Sequence, residues 1–238
     1  MAPAEPGELR LATVRELSQI PGLVHGFERR RPGADAETRE AGRARLARAL
    51  AGDGRVFLLR QVHGALVHAA PWEGRPEGDA SVAAAAGLLL GIETADCLPV
   101  LIVDPRRRAV AAAHAGWRGT AAGVARAAVE ALRAGGSAPA DLRAALGPGI
   151  GACCYEVGEE LRSAFAPEFF HPGPRGRSHL DVRAANRRQL EQAGLPPEHI
   201  HDVDECTSCR PDLYHSYRRD GKGAGRMISF VGFAAPVR

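Results

Sequence analysis

Three uninterrupted apolar runs, Leu88–Ile92, Leu98–Val103 and Ala109–Ala113, follow one another with only short breaks between them. Runs this short and this apolar read as buried strands, and none is long enough to span a bilayer. The breaks are as informative as the runs. Thr94-Ala95-Asp96-Cys97 separates the first two, Asp104-Pro105 turns the chain toward the third, and the third feeds A-A-A-H-A-G-W-R-G-T (Ala111–Thr120). There a histidine, a tryptophan and an arginine crowd a glycine-flanked strand-to-helix turn. Such a turn holds functional groups on a rigid base and offers helix N–H groups to an anion. Taken alone, His114 reads equally well as a core residue or a ligand, and Trp117 reads as packing.

Other strands are expected at Leu23–Phe27, Val56–Leu59, Ala65–Ala69, Leu142–Leu146 and His199–Val203. Helices are expected from Asp35 to about Leu50, from Gly119 for about four turns, over Glu159–Phe165, and over Val182–Ala193 capped by Asp181. Residues 166–178 read as a Pro/Gly-rich loop, and Tyr214–Phe230 as a hairpin around Gly221–Gly223. Strands and helices interleave irregularly. That points to an α/β fold of the α+β type, with helices packed on a mixed sheet, rather than a strict βαβ repeat. No repeat or linker divides the 238 residues, so one domain over 1–238 is expected, with 1–10 a loose lead.

Composition excludes several classes. Apolar content of 45% and charged content of 25% belong to an ordinary globular protein, and the net charge is only +3. The basic clusters Arg29–Arg31 and Arg106–Arg108 lack interleaved aromatics, so they read as solvated loops and not as a nucleic-acid surface. The first residues, M-A-P-A-E-P-G-E-L-R, lack the apolar core of a secretory signal. Five cysteines, an odd number, argue against a disulfide framework. A reducing cytoplasm is the expected setting, with no membrane partner.

His63, Cys97 and His114 each stand where a strand pattern breaks. One Cys and two His suit zinc with an open fourth position, the arrangement that activates a water. Asp79 and Asp96 lie in short polar breaks; each reads as an orienting group, a general base or a turn residue. G-P-G-I-G (Gly147–Gly151) reads as a close-approach turn or an anion cradle, and it is no dinucleotide fingerprint. Cys153 reads as a nucleophile or a small buried residue. Cys206-x-x-Cys209 lacks the second pair that a zinc ribbon needs, so its thiols read as structural or incidental. His199-Ile200-His201 is an isolated H-x-H, short of a multicopper centre. Arg218 and Arg219, expected in a short strand, suit phosphate or carboxylate recognition.

Six ordered blocks carry a resemblance. R-Q-V-H-G (60–64), G-D-A (78–80), T-A-D-C-L-P-V (94–100), A-H-A-G-W-R-G-T (113–120), G-P-G-I-G-x-C-C-Y-E-V (147–157) and S-Y-R-R-D…G-R-M (216–227) resemble the YfiH-type family. That family is also labelled laccase-domain, polyphenol oxidase or peptidoglycan editing factor. The resemblance implies a YfiH-like α/β fold and zinc held at His63, Cys97 and His114. It implies phosphorolysis of adenosine, inosine and S-methyl-5'-thioadenosine, and deamination of adenosine. The chemistry is compatible: an activated water attacks C6 of adenine and ammonia leaves. Phosphorolysis needs an anion held against the anomeric carbon, a task for Arg118 with Arg60, Arg218 or Arg219. The chain departs from the family between Gly26 and Glu37, where G-F-E-R-R-R-P-G-A-D-A-E replaces a longer loop.

The leading expectation is a zinc-dependent purine nucleoside phosphorylase with adenosine deaminase activity, with Asp96, Cys97, Arg118 and Cys153 as catalytic candidates. Its partners would be purine nucleosides and phosphate. The runner-up is a hydrolase of peptidoglycan precursors using Cys153 or the metal site. A non-catalytic metal-binding module ranks third, because ionisable groups converge at the strand ends. A copper-dependent polyphenol oxidase ranks last.

Overall fold

Leu98–Asp104 and Ala109–Ala115 form an antiparallel pair in which every residue is buried. The computed structural model that contains them describes residues 9–30 and 56–235. Side chains alternate between the two faces of a strand, so one apolar run serves two cores. Leu98, Val100 and Ile102, with Ala109, Ala111, Ala113 and Ala115, face the helices Val124–Ala134 and Val182–Gln192. Leu101, Val103, Val110 and Ala112 face a second sheet and meet Phe27, Leu90, Ile92, Val231 and Phe233. Each such large side chain, fully buried, contributes roughly 1.5–3 kcal/mol.

The architecture is therefore α/β with two large mixed sheets face to face and helices on the outer face of one. The central pair belongs to a six-stranded sheet in the order Ile200–Asp202, Arg143–Leu146, Leu98–Asp104, Ala109–Ala115, Ala80–Ala83, Val67–Ala69. It is parallel only at its two outermost pairs. The opposing sheet runs Leu11–Ala12, Leu23–Glu28, Met227–Phe233, Leu89–Thr94, Val56–Leu58. A small antiparallel sheet joins Glu156–Val157, Ser178–Leu180 and Phe170–Pro172. No helix among the described residues is long and apolar enough to cross a membrane.

Several expectations need correction. A single sheet is expected from the pattern, whereas the strands divide among three. The helix from Gly119 is two pieces, Trp117–Ala121 and Val124–Ala134, broken at Gly123 with φ +82°. Glu159–Phe165 forms only a 3₁₀ turn, Glu159–Ser163. The loop expected at 166–178 carries one strand of the small sheet, Phe170–Pro172, and ends where a second, Ser178–Leu180, begins. The tail is no hairpin: Ser216 caps the short helix Tyr217–Asp220 by accepting from the Arg219 N–H, and Met227–Phe233 crosses to the middle of the second sheet. Local pattern does not choose between a neighbouring strand and a distant one. Asp181 caps Val182–Gln192 as expected, accepting from the Ala184 N–H at 2.8 Å. The expected Asp35–Leu50 helix lies outside the described residues.

Candidate active site

The register of the central pair builds the site. Leu98 lies opposite Ala115 and Pro99 opposite His114, so Cys97 emerges beside Gly116. A Cβ on Gly116 would stand 2.9 Å from the Cys97 Sγ and 3.3 Å from His63, so only glycine leaves room for the thiol. His63 joins from a turn in which its own φ is +64°, a left-handed value that non-glycine residues rarely adopt. That turn is pinned by Asp79, which is wholly buried. Its Oδ1 accepts from the His63 N–H at 2.8 Å, and its Oδ2 from the N–H groups of Val62 and Gly64 at 3.2 and 2.6 Å. Oδ1 also accepts from His114 Nδ1 at 2.8 Å. One carboxylate thus sets the His63 turn and fixes the His114 ring, leaving Nε2 of His114 for Cys97.

The donor atoms of His63, Cys97 and His114 all lie within 4.8 Å of one another, and the two rings meet edge to face at 4.9 Å. One sulfur and two nitrogens at this spacing fit a zinc ion with an open position. Burial opposes ionisation of the Cys97 thiol, but His114 and His63 outweigh it and draw the thiol down to about 6. Burial likewise opposes the His114 cation, yet Cys97 and Asp79 raise it to about 9. Burial also disfavours the Asp79 carboxylate, and its bonds to His114 and to the Gly64 and His63 N–H groups overcome that and lower its pKa.

The three residues line a cavity of about 670 Å³, within the range of small-molecule sites. Arg60, Arg75, Arg118, Arg218 and Arg226 share its walls with Glu93 and Asp96. Arg60 pairs with Glu77 and Arg75 with Glu93, each at 2.6 Å. Among the described residues, Arg118 and Arg218 form no ion pair. Arg118 lies over the Trp117 ring at 4.3 Å, and Arg218 over Tyr155 at 5.1 Å. Trp117 packs against Leu161, Phe165 and Leu180, so its packing role coexists with lining the cavity. Tyr155 keeps its proton: burial, then the Cys97 charge, raise it to about 12.

Other candidates fall elsewhere. Asp96 lines the cavity, but Oδ1 accepts from the Thr207 hydroxyl and Oδ2 from the Arg218 N–H, both at 2.6 Å. Its carboxylate holds two loops together. Arg219 points away, donating to the carbonyls of Thr207, Ser208 and Tyr214 and pairing with Asp220. Cys153 does not line the cavity and is exposed. The anion-cradle reading of Gly147–Gly151 fails, because the N–H groups of Gly149, Ile150 and Gly151 donate to Glu205 O, Asp96 O and Cys206 Sγ. His199 and His201 join no group of three or more metal donors among the described residues.

Sequence reasoning missed Arg75, Glu93, Tyr155 and Arg226 as wall residues. Tyr155 and Arg226 lie inside the blocks C-C-Y-E-V and G-R-M, a signal that was available. Arg75 and Glu93 carried none: a loop arginine meets a strand glutamate only once the chain is folded.

An α/β fold with two large facing sheets and a cysteine–histidine cluster in an arginine-walled cavity defines a class of enzyme scaffold able to bind a metal. The chain belongs to the family described as multi-copper polyphenol oxidoreductase laccase, whose model matches residues 28–234. It is 40% identical over 191 residues to the purine nucleoside phosphorylase YlmD of Geobacillus stearothermophilus, covering 72% of this chain and 70% of that protein. The crystal structure of that YlmD superposes with a TM-score of 0.82 at 33% identity, over 91% of this chain and 93% of the other. The Bacillus licheniformis YfiH structure gives 0.82 at 28% identity, over 98% and 97%. Adenosine deaminase RL5, from an unknown prokaryotic organism, is 39% identical over 160 residues, covering 64% of this chain and 61% of that protein. The resemblance to YfiH-type proteins read from the six blocks therefore holds.

Proposed function

We propose that the chain is a zinc-dependent purine nucleoside phosphorylase acting on adenosine, inosine and S-methyl-5'-thioadenosine, with adenosine deaminase activity. One observation carries the reading: His63, Cys97 and His114 converge on a nucleoside-sized cavity walled by arginines. Zinc would be held by these three residues, with Asp79 behind His114, and when bound it supplies Lewis-acid polarisation and makes water more acidic. Arg118 and Arg218, free of ion pairs among the described residues, hold the phosphate that attacks C1' as the C1'–N9 bond breaks. Tyr155, protonated at neutral pH, gives the departing purine a neutral hydrogen-bond donor. Asp96 acts as a positioning residue, keeping the Arg218 backbone in place. Five free cysteines fit a cytoplasmic setting.

A peptidoglycan hydrolase with Cys153 as nucleophile finds no support, since that thiol lies off the cavity. A multicopper oxidase would need several histidine-rich clusters, and among the described residues one group of three or more metal donors contains histidine. The test is direct. Zinc-loaded protein with adenosine and phosphate yields adenine and ribose 1-phosphate by chromatography, and adenosine alone yields inosine. Cys97→Ala, still folded by circular dichroism, yields none of these. Absence of all three products with the parent protein overturns the proposal.

A further inference from the structure

The C-x-x-C that seemed to lack a partner has one. Cys153 and Cys154 sit in the turn after Gly151, and Cys206 and Cys209 bracket a second turn. Far apart in sequence, the two turns meet because Gly149 bridges to Cys206 and the Thr207 N–H donates to Gly149 O. The four sulfurs all lie within 4.8 Å of one another. Cys209 Sγ stands 3.6 Å from that of Cys153 and 3.3 Å from that of Cys154. Four thiolates around one zinc at about 2.3 Å place their sulfurs about 3.8 Å apart, whereas a disulfide needs about 2.05 Å. One thiol poised between two adjacent ones suits a shared metal better than a chosen S–S partner.

We propose that Cys153, Cys154, Cys206 and Cys209 form a structural zinc site of four thiolates, separate from His63, Cys97 and His114. Four protein ligands close the coordination shell, the mark of a structural ion. The set is soft and carries no histidine or carboxylate, which disfavours magnesium, calcium and manganese. The Gly151 N–H donates to Cys206 Sγ at 3.2 Å, the kind of outer contact that steadies a ligating sulfur. None of the four lines the cavity, but their loops do shape it. Ile150 and Tyr155 flank the first pair and line the wall, and Thr207 inside the second pair donates to Asp96. The ion would staple together two loops that position Tyr155, Asp96 and Arg218, and its binding would release the thiol protons.

The experiment measures metal per chain on protein purified under reducing conditions without added metal. Two zinc ions per chain are expected. Cys97→Ala retains one, and X-ray absorption on that variant reads four sulfurs at about 2.3 Å. Cys206→Ser with Cys209→Ser, or Cys209→Ser alone if the pair fails to fold, lowers the parent value by one. A folded Cys97→Ala variant without zinc, or with nitrogen or oxygen ligands on its zinc, overturns the proposal. So does a parent protein whose four thiols are joined as disulfides, or whose metal is iron with inorganic sulfide. A parent holding one zinc in an all-sulfur shell upholds this site and sinks the zinc-dependent reading of the cavity, so the two fail separately.

Discussion

Asp79→Asn is the sharpest perturbation of the site, because one buried carboxylate carries four internal hydrogen bonds. Oδ1 serves the His63 N–H and His114 Nδ1; Oδ2 serves the N–H groups of Val62 and Gly64. An asparagine has one oxygen and one NH₂. With the NH₂ toward Val62 and Gly64, two of the four donors face another donor; with it toward His63 and His114, the His63 N–H does, and His114 keeps its bond by moving its proton to Nε2. At about 1.5 kcal/mol for each lost partner, the folded state loses about 1.5–3 kcal/mol. For a chain of this size that lowers Tm by about 3–12 °C. The same change loosens the His63 turn and removes the anion behind His114. Loss of such an outer partner costs about 10–100-fold in metal affinity. Thermal unfolding of metal-free protein measures the first effect, and competition with a zinc chelator measures the second. A Tm within about 2 °C of the parent, together with zinc affinity within about twofold, would refute the reasoning that Asp79 organises both ligands.

Three further outcomes follow from the same geometry. The folded pKa of Asp79 is depressed below its ordinary 3.8, so its stabilisation is complete at neutral pH and is lost as pH falls through the lower folded value. Acid unfolding of metal-free Asp79→Asn should show a shallower dependence in that range, and parallel acid limbs would contradict this. Arg118→Ala and Arg218→Ala should each raise KM for phosphate about 10–100-fold, the worth of one charge-assisted contact, and KM for adenosine less; equal effects on both substrates would count against phosphate binding there. Gly147→Ala would place a Cβ 2.3 Å from two ring carbons of Phe27 and 2.7 Å from Pro99. Overpacking of that kind costs about 1–3 kcal/mol, read as a lower midpoint in denaturant, and an unchanged midpoint would show that Phe27 yields freely.

The sequence by itself determined the buried strands and marked the positions of His63, Cys97 and His114, and both for the same reason. Leu98–Val103 and Ala109–Ala113 are apolar without interruption, a pattern that burial on two faces demands and that can be read residue by residue. His63, Cys97 and His114 stand where such patterns stop, so their polarity is conspicuous. The cap at Asp181 is equally local, its partner lying three residues on. Tertiary structure alone decided what depends on residues distant in the chain. Asp79 reads as an orienting group, a general base or a turn residue until the sheet sets it against His114. Asp96 reads as a base until Thr207 and Arg218 take up its oxygens. Arg219 reads as a twin of Arg218, yet the capped turn at Ser216 sends the two side chains to different places. Cys206-x-x-Cys209 reads as a pair of structural or incidental thiols until Gly149 brings Cys153 and Cys154 beside it. Spacing along a chain records what one strand or one helical turn requires. Which two turns will meet is fixed by the packing of the sheets beneath them, and no local spacing records it.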